Sequence, residues 1–330
     1  MSSVCEKKPP DFPDGAAGTN PPMIQDNRIP NFFPADRPRL PAPQRRCPAI
    51  ISPGKISHPT QKGIDMKEFM DICLEAAHAG GEVLTQMCGS FTTREKSPKD
   101  LVTDADFKSQ ETIRDIVTRA FPQHDFVAEE VMDGASTTLT ANRASEYCWI
   151  VDPLDGTMNY VHQMPGYAVS IALCQGDRLL VGAVYDPVAD ECFTASAGAG
   201  AQRNGKPIRP SDCQQLAEGL IAVSLPAEFP RGSLEIARLI EVLHAAQAIR
   251  RLGSAALNLC YMAMGRLDGY WATAVKPWDV AAGALVVQEA GAVLTDFRGG
   301  PFKLDNPPFA AAATPAVHRE LLETLARAEQ

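Results

Sequence analysis

The sequence predicts a mixed fold in which an α+β half is followed by an α/β half, and three observations favour this class. Apolar residues at helical spacing begin at Met66 and recur up to Phe121-Pro122. Short apolar runs separated by turn residues fill 168–194, as expected for an antiparallel meander. After residue 204, short strands alternate with helices, which is typical of α/β packing. The chain is therefore expected to divide into an α+β part over 63–203 and an α/β part over 204–330.

The elements of each half follow from local patterns. A long amphipathic helix is predicted from Met66, and a second from Thr103 or Asp104 to Phe121, where Pro122 stops it. The first half is expected to contain strands over 125–128, 147–151, 169–173, 179–185 and 191–194. The second half is expected to contain strands over 220–223, 267–271, 292–295 and 309–312, and helices over 233–245, 254–264, 279–290 and 315–328.

Composition limits the classes of function. The 330 residues are 45% hydrophobic, so the chain can bury a proper core. Its 40 Asp and Glu outnumber 31 Lys and Arg, and the net charge of -9 argues against a protein that coats nucleic acid or anionic membrane. Neither a membrane-span pattern nor a signal-peptide pattern is recognised, and the nine cysteines include no CxxC pair. We expect a cytoplasmic protein with reduced thiols and a small-molecule partner.

Residues 1–62 differ in composition from the rest of the chain. They hold close to half of the prolines and show no apolar periodicity, which predicts a disordered tail. Two interpretations remain open. The tail is either a docking segment for a partner or a dispensable extension that precedes a true start at Met66.

Acidic residues in the run from Asp152 to Thr157 form the strongest candidate site. Asp152 and Asp155 are three residues apart on a turn that contains proline and glycine, so both carboxylates can reach one ion or two neighbouring ions. The Leu154 carbonyl between them is a neutral oxygen suited to a hard cation. Gly156-Thr157 resembles the first turn of a helix, whose free N–H groups attract phosphate. The structural alternative is an ordinary acidic turn.

Three further acidic segments accompany this run. Ala128-Glu129-Glu130 follows a predicted strand, Trp278-Asp279 precedes a predicted helix, and the loop predicted over 96–106 leads into another helix. Taken singly, a solvated loop explains the glutamates, an N-cap explains Asp279, and capping explains Asp104. Because distant segments each present a carboxylate at the end of an element, coincidence is a poor explanation for the set.

Segments 96–106, 126–130, 149–160 and 276–301 resemble the motifs of the inositol monophosphatase family. This family lies within a superfamily of Mg²⁺-dependent, lithium-sensitive phosphatases that includes fructose-1,6-bisphosphatase, and the resemblance covers roughly 66–328. It implies a layered αβαβα sandwich, usually a homodimer, whose site lies between the α+β and α/β halves. The activity it implies is hydrolysis of a small phosphate ester.

The resemblance also implies a metal-binding set. Glu129, Asp152 and the Leu154 carbonyl would bind a first Mg²⁺, and Asp152, Asp155 and Asp279 would bind a second. A third, weaker ion would share Glu129. Two adjacent divalent ions neutralise the entering and leaving oxygens of a phosphate ester, so the implied set agrees with the chemistry.

The roles of the remaining site residues rest on the same resemblance. Asp106 and the Thr157 hydroxyl would orient and deprotonate the attacking water. The amides of Gly156 and Thr157 would hold the phosphate, and 253–255 would line the alcohol side. The implied substrate-binding set is Leu154, Asp155, Gly156, Thr157, Gly253, Ser254, Ala255 and Asp279.

One departure from the family pattern concerns substrate choice. Inositol-specific members carry a glutamate that contacts ring hydroxyls where this chain has Ala272. Inositol monophosphates, histidinol phosphate and sugar phosphates such as fructose 1,6-bisphosphate therefore all remain candidates. A non-catalytic binding protein is the alternative from another class, and it predicts damage to the ligand set, of which none is visible.

Overall fold

The computed structural model of the chain describes residues 66–130 and 145–329, so the expected tail over 1–62 lies outside the described residues. The helices are α1 (Met66–Met87), α2 (Asp104–Ala120), α3 (Thr157–Val161), α4 (Leu234–Ala245), α5 (Ala255–Ala263), α6 (Pro277–Ala290) and α7 (Pro315–Arg327). The strands are β1 (Thr93–Ser97), β2 (Asp100–Thr103), β3 (Asp125–Ala128), β4 (Tyr147–Asp155), β5 (Ala168–Gln175), β6 (Arg178–Asp186), β7 (Glu191–Ser196), β8 (Gly200–Arg203), β9 (Lys206–Pro207), β10 (Leu220–Ser224), β11 (Ala248–Arg250), β12 (Gly269–Ala272), β13 (Val293–Thr295) and β14 (Phe309–Ala312).

Two large sheets and one small hairpin organise the described residues. The seven-stranded sheet has the order β3-β4-β5-β6-β7-β8-β9, in which β3 and β4 are parallel and the remaining neighbours are antiparallel. The five-stranded sheet has the order β11-β10-β12-β14-β13, and β10 is parallel to both of its neighbours. The hairpin pairs β1 with β2. An antiparallel meander and an α/β sheet are thus both present, as the sequence predicts.

The helices cover the sheets in layers. On the seven-stranded sheet, α1 and α2 pack on one face, and α5 and α6 pack on the other. The helices α5 and α6 also contact the five-stranded sheet, whose outer face is covered by α4 and α7. The order of layers is therefore α, β, α, β, α, and the predicted sandwich is confirmed.

The alternation of side chains along β4 explains why one sheet supports two cores. Trp149 and Val151 face α1 and α2, while Cys148 and Ile150 face the layer of α5 and α6. Because successive strand residues point to opposite faces, a strand buried on both sides has a continuous apolar sequence.

The central helix α6 is buried around most of its circumference because it lies between two sheets. Its residues Val280 to Val287 are buried without interruption. A Cβ added at Gly283 would stand 2.7 Å from Leu259 Cδ1 of α5, so glycine permits the close approach of these two helices. This packing fixes the position of the first turn of α6, where Asp279 lies.

The structure corrects the prediction of a loop over 96–106. Residues 93–103 form the β1–β2 hairpin, and α2 begins at Asp104. Asp104 does not cap this helix, since its carboxylate accepts hydrogen bonds from Thr92 N and Thr92 Oγ1, and Thr103 is the N-cap. The short strands β8, β9 and β11 were also not predicted. Within the described ranges, no helix is both long and apolar enough to cross a membrane.

Candidate functional site

Two parallel strands bring the glutamate and aspartate motifs side by side. Ala128 at the end of β3 is paired with Val151 of β4, and Glu129 N donates a hydrogen bond to Val151 O over 3.1 Å. Glu129 therefore leaves β3 next to Asp152. The carboxyl ends of adjacent parallel strands meet at one edge of a sheet, which is where sites in such sheets form.

The structure gathers four of the predicted carboxylates into one electrostatic group. Burial, followed by the charges of Glu129, Asp155 and Asp279, raises the pKa of Asp152 well above its usual range. Burial, then Glu129 and Asp155, likewise raises the pKa of Asp279. Burial raises the pKa of Asp155 to about 6, although hydrogen bonds from α5 oppose the shift. Carboxylates that raise one another's pKa repel and favour a cation among them.

Backbone N–H groups donate hydrogen bonds to two of these carboxylates, Asp152 and Asp279. Asp152 Oδ1 accepts from Leu154 N over 3.0 Å, and Asp279 Oδ2 accepts from Lys276 N over 2.8 Å. The latter bond matches the alternative interpretation of Asp279 as a helix-capping residue. As placed, no three carboxylate, histidine or cysteine side chains in the described ranges are arranged closely enough to hold one metal ion.

The chemistry of the donors nevertheless fits Mg²⁺. The group consists of carboxylate oxygens, the Leu154 carbonyl follows Asp152 closely in the chain, and hard oxygens are the ligands that Mg²⁺ prefers. Asp152 and Asp155 are 2% and 7% exposed, so their charges lie largely away from water. Buried negative charges need compensation, and a divalent cation would supply it.

Lys96 is a site residue that the sequence analysis did not single out. Its Nζ lies 2.9 Å from Glu129 Oε1 and also forms an ion pair with Glu130. Burial lowers the pKa of Lys96, but the Glu129 and Glu130 carboxylates outweigh it and hold that pKa above its usual value. Burial, then the charge of Glu129, raises the pKa of Glu130 to about 7. The hairpin thus places a lysine against the glutamate motif.

Asp106 and Thr157, predicted to act on water, lie in contact. Thr157 Oγ1 is 3.2 Å from Asp106 Oδ1 and 3.0 Å from the Leu154 carbonyl oxygen, so its single proton can be donated to either oxygen. Asp106 Oδ2 accepts from Thr103 N and Thr103 Oγ1, which fixes the carboxylate. Burial raises the pKa of Asp106 to about 6, although the hydrogen bonds from Thr103 oppose the shift. A carboxylate near this pKa suits general-base chemistry.

Asp155 joins the carboxylate group to the segment predicted to contact the alcohol. It accepts hydrogen bonds from Ser254 Oγ, from Ala255 N over 3.1 Å and from Ala256 N over 2.7 Å. A negative charge at the first turn of α5 satisfies free N–H groups and interacts favourably with the helix dipole. Ser254 is also the N-cap of α5, through a bond from Leu257 N.

Gly253 is held in place by a residue that the sequence analysis also missed as a site contributor. Asn159 Nδ2 donates to the carbonyl oxygens of Gly166 and Leu252, each over 2.8 Å. Gly253 has a φ of 94°, and a Cβ there would stand 2.7 Å from Asn159 Nδ2. The turn before α5 therefore requires glycine. Asn159 follows Thr157 by two residues, but its long-range partner was not predictable from this spacing.

Ala272, the position that bears on substrate choice in the family pattern, lies at the end of β12 beside the end of the parallel strand β10. Ala272 of β12 is paired with Ser224 of β10, and Ser224 Oγ lies 2.8 Å from the Tyr270 hydroxyl. The Ser224 and Tyr270 hydroxyls thus lie close to the end of β12, where the family pattern has a glutamate in place of Ala272.

Comparison with known proteins gives consistent matches. A model described as the inositol monophosphatase family matches residues 65–330. Inositol monophosphatase 2 of Solanum lycopersicum is 40% identical over 245 residues, covering 72% of this chain and 91% of that protein. Nus factor SuhB of Pasteurella multocida is 37% identical over 264 residues, covering 79% and 96%. The solved inositol monophosphatase from Anabaena (Nostoc) sp. PCC 7120 has a TM-score of 0.70 and 37% identity, covering 80% and 97%.

Proposed function

Since the chain belongs to the inositol monophosphatase family, whose members include phosphatases, we propose that it is a Mg²⁺-dependent phosphomonoesterase for a small phosphorylated metabolite. The observation that carries the proposal is the group formed by Glu129, Asp152, Asp155 and Asp279. These carboxylates come from three separated segments, and burial together with the neighbouring negative charges raises the pKa of Asp152 and of Asp279. An arrangement of this kind is costly to fold unless a cation compensates it.

Glu129, Asp152, Asp155, Asp279 and the Leu154 carbonyl are the residues that would hold two or three Mg²⁺ ions. When bound, the ions neutralise charge on the phosphate and make hydroxide available at neutral pH. Lys96 would have to release Glu129 or share it. Because both Asp155 oxygens already accept bonds from α5, this residue would hold an ion and the helix start together.

Asp106 and Thr157 would handle the proton of the attacking water. The Thr157 hydroxyl would orient a water by accepting its hydrogen bond while donating to Asp106 or to the Leu154 carbonyl, both of which it contacts. Asp106, fixed by Thr103, would accept the proton through this hydroxyl. No histidine is required for the step, which agrees with a site built from carboxylates.

The proposed substrate is an inositol monophosphate or another small phosphate ester. The Gly156 and Thr157 amides would bind the phosphate, and 253–255 would contact the alcohol. Ala272 removes a carboxylate from the alcohol side, so histidinol phosphate and fructose 1,6-bisphosphate stay as alternatives. Lithium sensitivity and a cytoplasmic location are further predictions for this chain.

We further propose that the active form is a homodimer. Three large apolar side chains near the alcohol side are exposed, Met158 by 45%, Met164 by 55% and Leu252 by 36%. Asn159 ties their segments together, so they belong to one region of the surface. Such a region suits contact with a second copy. Light scattering at micromolar concentration measures the mass, and a monomer would contradict this part of the proposal.

The test is phosphate release from inositol 1-phosphate, histidinol phosphate and fructose 1,6-bisphosphate, with and without Mg²⁺ and Li⁺. We expect Mg²⁺-dependent release from at least one ester and inhibition by Li⁺. The relative initial rates identify the preferred alcohol. If no ester of the panel releases phosphate with Mg²⁺, the enzyme proposal is wrong and the non-catalytic alternative gains support.

A further inference from the structure

A cavity lies near the end of α6 that is opposite to Asp279. Its volume is about 530 Å³, and it is lined by residues of α6, of the start of β6, of the turns after β5 and β7, and of 302–305. Asp279 and Glu289 are ten residues apart on this helix, a separation of roughly 15 Å at 1.5 Å per residue. The cavity is therefore separate from the carboxylate site and does not depend on the proposed function.

The floor of the cavity is apolar. Leu285 of α6 and Leu304 are buried, while Leu179 and Phe302 are partly buried. The volume lies in the range of roughly 300–1,000 Å³ that is usual for small-molecule sites, and the apolar floor is surrounded by a largely polar lining. The floor offers an aliphatic surface and one aromatic ring, which suits a ligand with an aromatic or aliphatic part.

The rim carries cations that are not paired. Arg178 and Lys303 are exposed, and neither has an ion-pair partner among the residues that the structure describes. The carboxylates of Asp177, Glu289 and Asp305 also line the cavity. Glu289 is already engaged, because its two oxygens accept hydrogen bonds from Gly198 N and Gly200 N over 2.8 Å.

We propose that this cavity binds a small amphipathic anion. The apolar body lies on the leucine and phenylalanine floor, and its anionic group is bound by Arg178 and Lys303. Arginine and lysine form charge-assisted hydrogen bonds with sulfonate, carboxylate or phosphate oxygens. Asp305 accepts a hydrogen bond from a hydroxyl or amine group on the same ligand.

The test uses anilinonaphthalene sulfonate as the probe, with phenylnaphthylamine as a matched compound that lacks the sulfonate. We expect saturable binding of one sulfonate probe per chain, measured by fluorescence titration. The double variant Arg178→Ala with Lys303→Ala weakens it about tenfold or more, since two charge-assisted contacts are lost. Lys206→Ala, an exposed cation outside the cavity, leaves binding of the sulfonate probe unchanged.

A second variant addresses the floor. Ala197 lines the cavity without lying in the core, so Ala197→Trp fills the space and abolishes binding of both probes. Circular dichroism checks that this variant folds, and the Arg178 and Lys303 variant decides alone if it does not. The inference would be overturned if the double variant of Arg178 and Lys303 bound anilinonaphthalene sulfonate as tightly as the wild type. It would also be overturned if the wild type bound the two probes equally well. The Asp152→Asn variant should bind the sulfonate probe as the wild type does. Failure of the phosphatase proposal can therefore be distinguished from failure of the cavity proposal.

Discussion

Asp106 shows how one side chain serves the fold and the proposed chemistry. One carboxylate oxygen holds the Thr103 cap of α2, and the other lies 3.2 Å from the Thr157 hydroxyl. The first contact fixes the geometry of the second. Its burial, with no exposed surface, also raises its pKa to about 6, which is nearer to neutral than a free aspartate.

Replacing either member of this pair should reduce the rate more than the substrate affinity. For Asp106→Asn and for Thr157→Ala we expect kcat to fall about 10²–10⁴-fold, because proton transfer from water loses its acceptor or its relay. Steady-state kinetics with the best ester of the panel measures the effect. Asp104→Asn is the matched control on the same helical turn, since that carboxylate accepts its hydrogen bonds from Thr92 and not from Thr103 or Thr157. Equal losses in the control would refute a direct role for the pair.

The residue scale also shows what the sequence could not supply. The motif from Asp152 to Thr157 could be identified from its spacing alone. The partners of its members could not, because Asp155 meets Ala256 across 101 residues and Lys96 meets Glu129 across 33. Local spacing constrains neighbours on one element, whereas such contacts depend on how distant elements pack.

At the element scale, the turn between β11 and α5 positions the residues that we propose to contact the substrate alcohol. Asn159 from α3 bonds Leu252 O and occupies the space where a Gly253 side chain would be. Asn159 thereby holds α3 to the turn that precedes α5.

Gly253→Ala should disturb this turn more than a positive φ alone explains. We expect an additional loss of about 1–3 kcal/mol in the free energy of unfolding from overpacking against Asn159, beyond the strain of about 1–2 kcal/mol. Gly89→Ala is the matched control, since Gly89 has a φ of 80° and no atom within 4 Å of an added Cβ. Urea denaturation compares the two, and equal losses would mean that the Asn159 contact is unimportant.

A second element-scale feature is the aromatic cluster that joins α2 to β4. His124 stacks on Phe121 at a centroid distance of 4.7 Å and on Tyr147 at 4.8 Å, and its Nδ1 accepts from Trp149 Nε1 over 3.1 Å. Burial lowers the pKa of His124, although Asp125 opposes the shift. The neutral ring is therefore the form that the fold stabilises.

This shift predicts a pH dependence of stability. Because the folded pKa of His124 lies below the unfolded value of about 6.5, the unfolded chain binds more protons in that window. The contribution of His124 is fully present above about pH 6.5 and is lost as the pH falls toward the folded pKa. We therefore compare the free energy of unfolding at pH 7.5 and at pH 5.5, roughly one unit on either side of the unfolded pKa. Between these pH values it should fall more for the wild type than for His124→Gln. Identical pH profiles would contradict the assignment, and His162→Gln at an exposed position is the control.

The β1–β2 hairpin illustrates why one element was predicted wrongly. All five residues of β1 are exposed, so the strand has no apolar alternation that a sequence pattern could detect. The buried strands β4 and β5 and the helices α2 and α6 were predicted because periodicity reports burial. The hairpin pairs through its backbone instead, and the lysine that it brings to Glu129 was missed with it.

For the whole molecule, the five layers explain why the site forms where it does. The helices α5 and α6 lie between the sheets. The first turn of α5 donates hydrogen bonds to Asp155 at the end of β4, and the first turn of α6 carries Asp279 of the same carboxylate group. The antiparallel half supplies Asp152 and Asp155, and the α/β half supplies Asp279. The meander pattern predicted the first half and the alternation of strand and helix predicted the second, but the orientation of their elements depends on side-chain packing that no local pattern encodes.

Activity should not depend on residues 1–62. The family match begins at residue 65, so the layered region contains every proposed site residue. We expect a variant that starts at residue 63 to retain kcat/KM within about twofold, which is a difference below 0.5 kcal/mol. Phosphate-release kinetics on both proteins checks this. A large loss in the shortened chain would instead assign the tail a structural or regulatory role.

The most direct test of the carboxylate group is Mg²⁺ activation of phosphate release by the wild type and by Asp152→Asn. Asp152 is the member whose pKa responds to all three other carboxylates, so its loss should disrupt the whole group. After removal of divalent ions with a chelator, we predict no release until Mg²⁺ is restored. Asp152→Asn should stay at least about 10³-fold slower at any Mg²⁺ concentration. Chelator-resistant activity, or full activity in the variant, would contradict the proposed site.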